Sequence, residues 1–370
     1  MRNLRPVRLE PRERFNVFIG DNGQGKTNLL EAIFVVAALR SFRTSRLADL
    51  VAFGRPSATL GARVVKDDLV RVYEVELSPG SRKVRLDGKA ARPLARYFGA
   101  FNVVVFTPED LALPRGAPGD RRRFLDRGVF NLEPAYLGTA SDYDKVLRTR
   151  NSVLRQAGQG TLGGRQLEEL LAVYDAQLAR LAVEIIAART RFLEALGPEL
   201  ERAFAAITRT GLAARAVYAS KLAGEAAAGG EAAAGAPSAP SAAAIEAQLR
   251  AGRARDLASQ STQIGPHRDD VLLQLDGREA GSFASQGQLR AIMLAWKTAE
   301  LRVLGRVHGD LPILLLDDVS SELDPSRNEY LFEHLAALAG QCFITTTHGG
   351  HVLLARDRAD YRIAAGEISQ

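Results

Sequence analysis

Phe15-Asn16-Val17-Phe18-Ile19-Gly20-Asp21-Asn22-Gly23-Gln24-Gly25-Lys26-Thr27 decides the reading of this chain: a short apolar run enters Gly20-x-x-x-x-Gly25-Lys26-Thr27, the spacing of a P-loop. Gly20, Gly23 and Gly25 let the backbone fold tightly enough to aim successive N–H groups at one anion. The run from Asn28 to Phe34 predicts a helix starting near Lys26, whose unpaired N–H groups and dipole favour the same anion. Lys26 is expected at the β and γ phosphates of a nucleotide and the Thr27 hydroxyl at magnesium. Gly20, Asp21, Asn22, Gly23, Gln24, Gly25 and Asn28 complete the expected cradle. A glycine-rich turn before an ordinary helix is the bland alternative, and the flanking strand and helix argue against it.

Three later stretches carry chemistry that a P-loop needs. Ile313-Leu314-Leu315-Leu316-Asp317-Asp318 is an apolar strand ending in paired carboxylates, which a buried strand does not need unless metal, water or phosphate occupies them. Asp317 is the expected magnesium-site aspartate, and Asp318 the group that orients or deprotonates attacking water. Phe343-Ile344-Thr345-Thr346-Thr347-His348 reads as another strand with a polar end, where His348 could bond a γ phosphate or position water. Phe283-Ala284-Ser285-Gln286-Gly287-Gln288 opens an apolar helix, so Ser285, Gly287 and Gln288 form a second anion-facing helix end, or an ordinary serine cap. Thr107-Pro108-Glu109-Asp110 follows a strand over 101–106; either acid could reach a nucleotide, or both could serve the start of the next helix.

Between these stretches the chain changes character. Residues 1–14 allow at most one short strand near Val7-Arg8-Leu9, and 57–89 alternate as antiparallel strands do. Leucines and alanines at helical spacing make 119–210 mainly helical, with a glycine-rich break at 158–164. The low-complexity run 223–244 has almost no large apolar group and is expected as a flexible loop. Arg43 and Arg46 could touch phosphates of nucleotide or DNA, or be solvated. The cluster Arg121, Arg122 and Arg123 could follow a DNA backbone, although Phe124 and Leu125 beside it must pack. In Gly265-Pro266-His267-Arg268-Asp269-Asp270, His267 could be a switch or a structural donor, and Arg268 and Asp269 could simply pair.

Composition bounds the rest. The 370 residues, 46% hydrophobic and 25% charged, can bury a core and a second lobe. Forty-nine Lys and Arg against 43 Asp and Glu give +6, compatible with a polyanionic partner. Cys342 is the only cysteine, so an intrachain disulfide and a cysteine zinc site are both excluded. The first ten residues lack the apolar core of a signal peptide and no run is long enough to span a bilayer, which makes a cytoplasmic protein without membrane contact the expectation.

Taken together, these stretches resemble the bacterial RecF family of ABC-type, SMC-like ATPases. The resemblance rests on Gly20 to Ala32, Ser41-Phe42-Arg43-Thr44, Phe106-Thr107-Pro108-Glu109-Asp110-Leu111, Arg122-Arg123-Phe124-Leu125-Asp126, Gly265 to Asp270, Ser285 to Gln288 and Leu316 to Asp324. It covers essentially the whole chain outside the low-complexity run. It implies an ATP- and magnesium-dependent DNA-binding protein that dimerises on ATP, hydrolyses it slowly, and binds gaps or single-strand/double-strand junctions. It also implies cooperation with RecR and RecO to load RecA, in support of replication and the SOS response. By the same resemblance Ser285 and Gly287 face the partner subunit's γ phosphate, Asp324 belongs to the interface loop, and His348 lies at a switch position. Departures are a short start, Ala284-Ser285-Gln286-Gly287-Gln288 in place of Leu-Ser-Gly-Gly-Gln, and Asp318 where a glutamate is usual; the shorter acid fits slow turnover.

The expected fold is α/β: a P-loop NTPase of ABC-ATPase head type with mixed sheets and an inserted helical lobe II. The head is expected from 1–118 and 261–370, and lobe II from 119–260. The competing readings are another ABC-type ATPase such as a transporter subunit, a P-loop phosphotransferase, and an ATP-gated DNA scaffold with negligible hydrolysis.

Overall fold

The computed structural model describes residues 1–44, 46–92, 94, 97–99, 101–222 and 240–370. Ser45 and most of the expected loop, 223–239, lie outside the described residues. The chain divides into two compact units: Met1–Ala112, Ala206–Arg209 and Arg290–Gln370 form the first, and Leu113–Ala205 with Thr210–Leu289 the second.

The first unit is built on a six-stranded sheet ordered Glu367–Ser369, Arg358–Ala364, Phe15–Ile19, Cys342–Thr346, Ile313–Asp317, Val103–Phe106. Only the first pair is antiparallel. The three strands nearest the middle and Val103–Phe106 are almost wholly buried, which is why they read as continuous apolar runs without alternation. Asn16 is a buried polar exception at the strand's start: its amide bridges the Arg12 N–H (2.7 Å) and carbonyl (2.9 Å) and fixes where the strand begins. Parallel register brings Ile19 beside Thr346 and Asp317 beside Thr345, so the polar residues after these strands gather along one sheet edge.

A four-stranded antiparallel sheet, Ala58–Lys66, Leu69–Ser78, Ser81–Leu86 and Lys89–Ala90, covers the helix Lys26–Ala38. Val35, Val36 and Leu39 pack with Leu60, Tyr73, Val75, Leu77 and Tyr97, and the Tyr97 hydroxyl donates to the Val36 carbonyl at 2.6 Å. That core fixes the helix whose first turn must meet the phosphates. Residues 1–14 form no strand, within the bound of at most one short strand near Val7.

The second unit holds the helices Pro118–Leu132, Tyr136–Gly158 and Gly164–Thr208, the last running on into the first unit, and a small sheet of Ala214–Ala219, Asp270–Leu275 and Arg278–Glu279. The unit boundaries fall at 112 and 289, where the sequence placed them at 118 and 260. Residues 261–289 join the helical unit because the strand Asp270–Leu275 pairs with Ala214–Ala219 and Asp270 binds Arg121. Ala242–Ala251 is a helix, not the end of a loop: Ser241 caps it through the Ala244 N–H, alanines favour it, and Ile245 and Leu249 are buried one turn apart.

Much of the helical unit's interior is ionic. Arg150 is fully buried between Asp175 (2.8 Å), Asp256 (2.7 Å) and the Thr262 hydroxyl (2.8 Å). Arg189 grips Asp126 with two bonds of 2.8 and 3.0 Å and donates to the Pro266 carbonyl at 2.8 Å. His267 is structural: its Nδ1 lies 2.7 Å from the Tyr143 hydroxyl and its Nε2 lies 3.1 Å from the Thr262 carbonyl. A carbonyl only accepts, so Nε2 carries the proton and Nδ1 accepts from Tyr143.

Burial pushes His267 down to about 4 from its ordinary 6.5; the bond to Thr262 opposes this, and Arg268, Arg122 and Arg150 reinforce it. Between these values the unfolded chain binds a proton that the folded chain refuses. The contribution is therefore full above pH 6.5, declines as pH falls, and is gone by pH 4. It amounts to about 3 kcal/mol. Urea unfolding across that window should show a stability loss that is absent in a His267→Gln variant.

Candidate nucleotide site

The strand Phe15–Ile19 delivers Gly20 against the Ile363 carbonyl, where any Cβ would collide, and Gly25 sits at φ 112° as the residue before the helix. Both positions demand glycine. Lys26, buried at the start of that helix, donates from Nζ to the Gly20 carbonyl and to the Asp21 carbonyl at 3.1 Å. Burial holds its ammonium below the ordinary lysine value, while Asp318, Asp317 and Asp21 pull the other way. Asp21, Asn22 and Gly23 are exposed, as a loop that receives a ligand must be. Gln24 is spent on the sheet edge: its Oε1 accepts from the Ala365 N–H at 2.5 Å and its carbonyl from Gly366 at 3.1 Å.

The Thr27 hydroxyl donates to Asp317 Oδ1 at 3.0 Å, and the Thr345 hydroxyl lies 2.8 Å from the same oxygen. Burial raises Asp317 above the usual carboxylate range, against the pull of those two bonds. Asp318 takes a left-handed conformation, φ 52°, held by its N–H on the Thr345 carbonyl and hydroxyl, both at 3.1 Å. Its Oδ1 is buried and has no hydrogen-bond partner among the described residues. Thr27 and Asp317 fit magnesium, whose charge would offset that of the phosphates. The orphaned Asp318 oxygen beside them fits a water or hydroxyl donor.

The two acids after Val103–Phe106 separate. Asp110 is buried and accepts from the Thr107 N–H at 3.2 Å, closing the helix start, whereas exposed Glu109 is near enough for its charge to raise Asp317. His348 is exposed at the end of Cys342–Thr346, its Nδ1 3.0 Å from the Thr347 hydroxyl. Asp324 caps the helix Pro325–Tyr330 through the Arg327 N–H at 3.1 Å.

Sequence reasoning missed three contributors. Thr345 reads in the sequence only as part of a strand, yet it ties both aspartates together. Asn3 donates to the Gly23 carbonyl at 2.7 Å and accepts from Asn28 at 2.5 Å. Glu31, fully buried, faces Arg2 at 3.3 Å, Arg43 at 3.6 Å and the Ser41 hydroxyl. A glutamate inside an otherwise apolar helix face was the available signal for Glu31. Arg43 also donates to Asn28 Oδ1 at 3.0 Å, so it is tied to the P-loop helix.

Ser285 stands exposed at the start of the helix Gln286–His308, in a reciprocal cap: Ser285 N–H to Gln288 Oε1 at 2.8 Å, and Gln288 N–H to Ser285 Oγ at 3.2 Å. The cap and the anion-facing helix end are the same geometry, since first-turn N–H groups have no partner within the helix.

Of the three clustered arginines, Arg121 and Arg122 are not free for a DNA backbone. Arg121 is buried and binds Asp270 with bonds of 2.9 and 2.5 Å, and Arg122 donates to the Asp269 carbonyl at 2.7 Å. Their side chains point inward because the helix Pro118–Leu132 packs on Asp270–Leu275. Arg123 remains exposed, paired with Asp120. Arg121→Ala should cost about 3 kcal/mol in chemical unfolding by stranding Asp270. Arg123→Ala should leave stability within about 0.5 kcal/mol.

The family model described as RecF/RecN/SMC N terminal domain matches residues 1–367. The chain is 42% identical over 355 residues to the DNA replication and repair protein RecF of Myxococcus xanthus (strain DK1622), covering 95% of this chain and 89% of that protein. It is 42% identical over 371 residues to the protein of the same name from Anaeromyxobacter sp. (strain Fw109-5), covering 100% and 96%. A solved structure of the recombination mediator protein RecF with ATPrS, in the RecFOR pathway, superposes with a TM-score of 0.85 at 31% identity, over 99% of this chain and 94% of that one. The corresponding RecF–ATP structure gives 0.83 at 30%, over 100% and 94%. With matches of this extent, and with a P-loop threonine bonded to the aspartate that ends another parallel strand of the same sheet, the chain belongs to the RecF/RecN/SMC family and, within it, to the RecF proteins.

Proposed function

We propose that this chain is an ATP-dependent DNA-binding protein of recombinational repair, in which ATP closes a homodimer and slow hydrolysis reopens it. The observation that carries the reading is the joint placement of Lys26, Thr27, Asp317 and Asp318: a cation for phosphate, a hydroxyl and carboxylate for magnesium, and a second carboxylate for water. Lys26 holds the phosphates, Thr27 and Asp317 orient the metal, and Asp318 takes up the proton of attacking water. His348, two residues past the end of the strand between the P-loop strand and the Asp317 strand, bonds the terminal phosphate.

One nucleotide fills one P-loop, so the second anion-facing helix end at Ser285 and Gly287 serves the nucleotide of a second copy. The names of the relatives support repair as the setting, and the RecFOR pathway named for the solved relatives supports RecR and RecO as partners; the loading of RecA at gaps and junctions is carried over from the family resemblance. No helix among the described residues is long and apolar enough to cross a membrane.

Solution mass with and without ATP, at micromolar protein and under slowed hydrolysis, tests the assembly. A protein that stays monomeric with ATP bound refutes it. Affinity for gapped DNA should fall with rising salt as counterions are released. DNA-stimulated phosphate release without acceptor phosphorylation separates this reading from a kinase.

A further inference from the structure

One arginine bonds the backbone of the turn that presents Ser285 at two points. Arg115 Nε donates to the Gly281 carbonyl and its Nη2 to the Ala284 carbonyl, each at 3.1 Å. The short helix Ala280–Phe283 leaves just such carbonyls without partners at its end. Gly281 lies so close to the Pro114 carbonyl that a Cβ there would collide. Ala280 and Ala284 are buried, and the Ala284 N–H bonds the Ala280 carbonyl at 2.9 Å. Phe283 is 72% exposed, so the one large side chain of the turn does nothing to hold it. The 114–115 segment thus grips the backbone of 280–284, and the Ser285–Gln288 cap begins at the next residue.

We propose that Arg115 is a positioning residue for the composite nucleotide site: its two-pronged bond fixes the turn so that Ser285 and the first-turn N–H groups meet a second copy's nucleotide already in place. This rests on the ATP-closed homodimer proposed above. A planar guanidinium meets the two carbonyls with two nitrogens at a fixed spacing, whereas an ammonium would have to reach both from one atom on a flexible stem. Fixing the turn beforehand removes its ordering cost from the association step. The expected effect therefore falls on assembly and not on the P-loop of the same chain, because the bonds of Arg115 go to the carbonyls of Gly281 and Ala284.

Arg115→Met should raise the protein concentration for half-maximal ATP-induced dimerisation about tenfold. ATP affinity measured on the monomer at low protein concentration should stay within about twofold of wild type. Arg115→Lys, which keeps the charge and loses the fork, should retain most of the defect. Gly281→Ala, which pushes the turn off Pro114 while keeping Arg115, should reproduce it and serves if the methionine variant misfolds. Dimerisation unchanged in Arg115→Met, or fully restored by lysine, overturns the inference. A wild type that dimerises with ATP, is blocked by Ser285→Arg, and is indifferent to Arg115 sinks the inference alone. A wild type that never dimerises sinks the composite site and this inference with it.

Discussion

Lys26→Ala should lower ATP affinity at least about 100-fold, about 3 kcal/mol, while the protein keeps or slightly gains thermal stability. The two effects have one cause. The ammonium is buried on the carbonyls of Gly20 and Asp21, at the positive end of a helix, and burial already disfavours its charge. Without nucleotide the helix dipole repels it and desolvation penalises it, so its removal relieves the folded chain. With nucleotide the same charge offsets phosphates that otherwise face Asp21, Asp317 and Asp318 unscreened. Titration calorimetry reads the affinity and thermal unfolding reads the stability. Affinity within about threefold of wild type would take the phosphate role away from Lys26.

How far the sequence foretold this site follows from how local each signal is. The P-loop was legible because its glycines, lysine and threonine are consecutive, and each has a backbone or charge reason to be there. Asp317 and Asp318 were legible because a buried strand tolerates carboxylates only for a purpose. Their meeting with Thr27 across 290 residues depends on strand order, which pattern alone does not state, although the split of the motifs over both ends of the chain implied it. Thr345 was hidden because a threonine in a strand is ordinary until its hydroxyl is seen on Asp317.

Basic clusters misled for a related reason. Arg121 and Arg122 look like a surface for polyanions, but their partners, Asp270 and the Asp269 carbonyl, lie about 150 residues away and cannot be inferred from spacing. The same distance hid the domain boundary, since 261–289 joins the helical unit through Asp270 and the pairing of its strand. His267 resolved toward structure because both ring nitrogens are occupied, which no sequence pattern reveals.

Asp318→Asn should lower ATP turnover by at least about 100-fold while ATP-induced dimerisation persists and the dimer outlives that of the wild type. Asparagine matches aspartate in size and tolerates the left-handed backbone at φ 52°, so the N–H bonds to Thr345 and the fold should survive. What changes is the buried Oδ1, which has no partner among the described residues, and the negative charge behind it. An amide accepts a hydrogen bond from water but cannot take its proton at neutral pH, so water would be held and not activated. Losing one of three carboxylates facing Lys26 also reduces repulsion of the phosphates, so ATP affinity should stay level or rise. Single-turnover phosphate release and the lifetime of the ATP-bound dimer, read on the same sample, check both halves. Normal turnover would move the base elsewhere, with Glu109 the next carboxylate to test because its charge already reaches Asp317. Loss of dimerisation together with turnover would instead assign Asp318 to nucleotide binding, since a residue acting only on water leaves assembly intact.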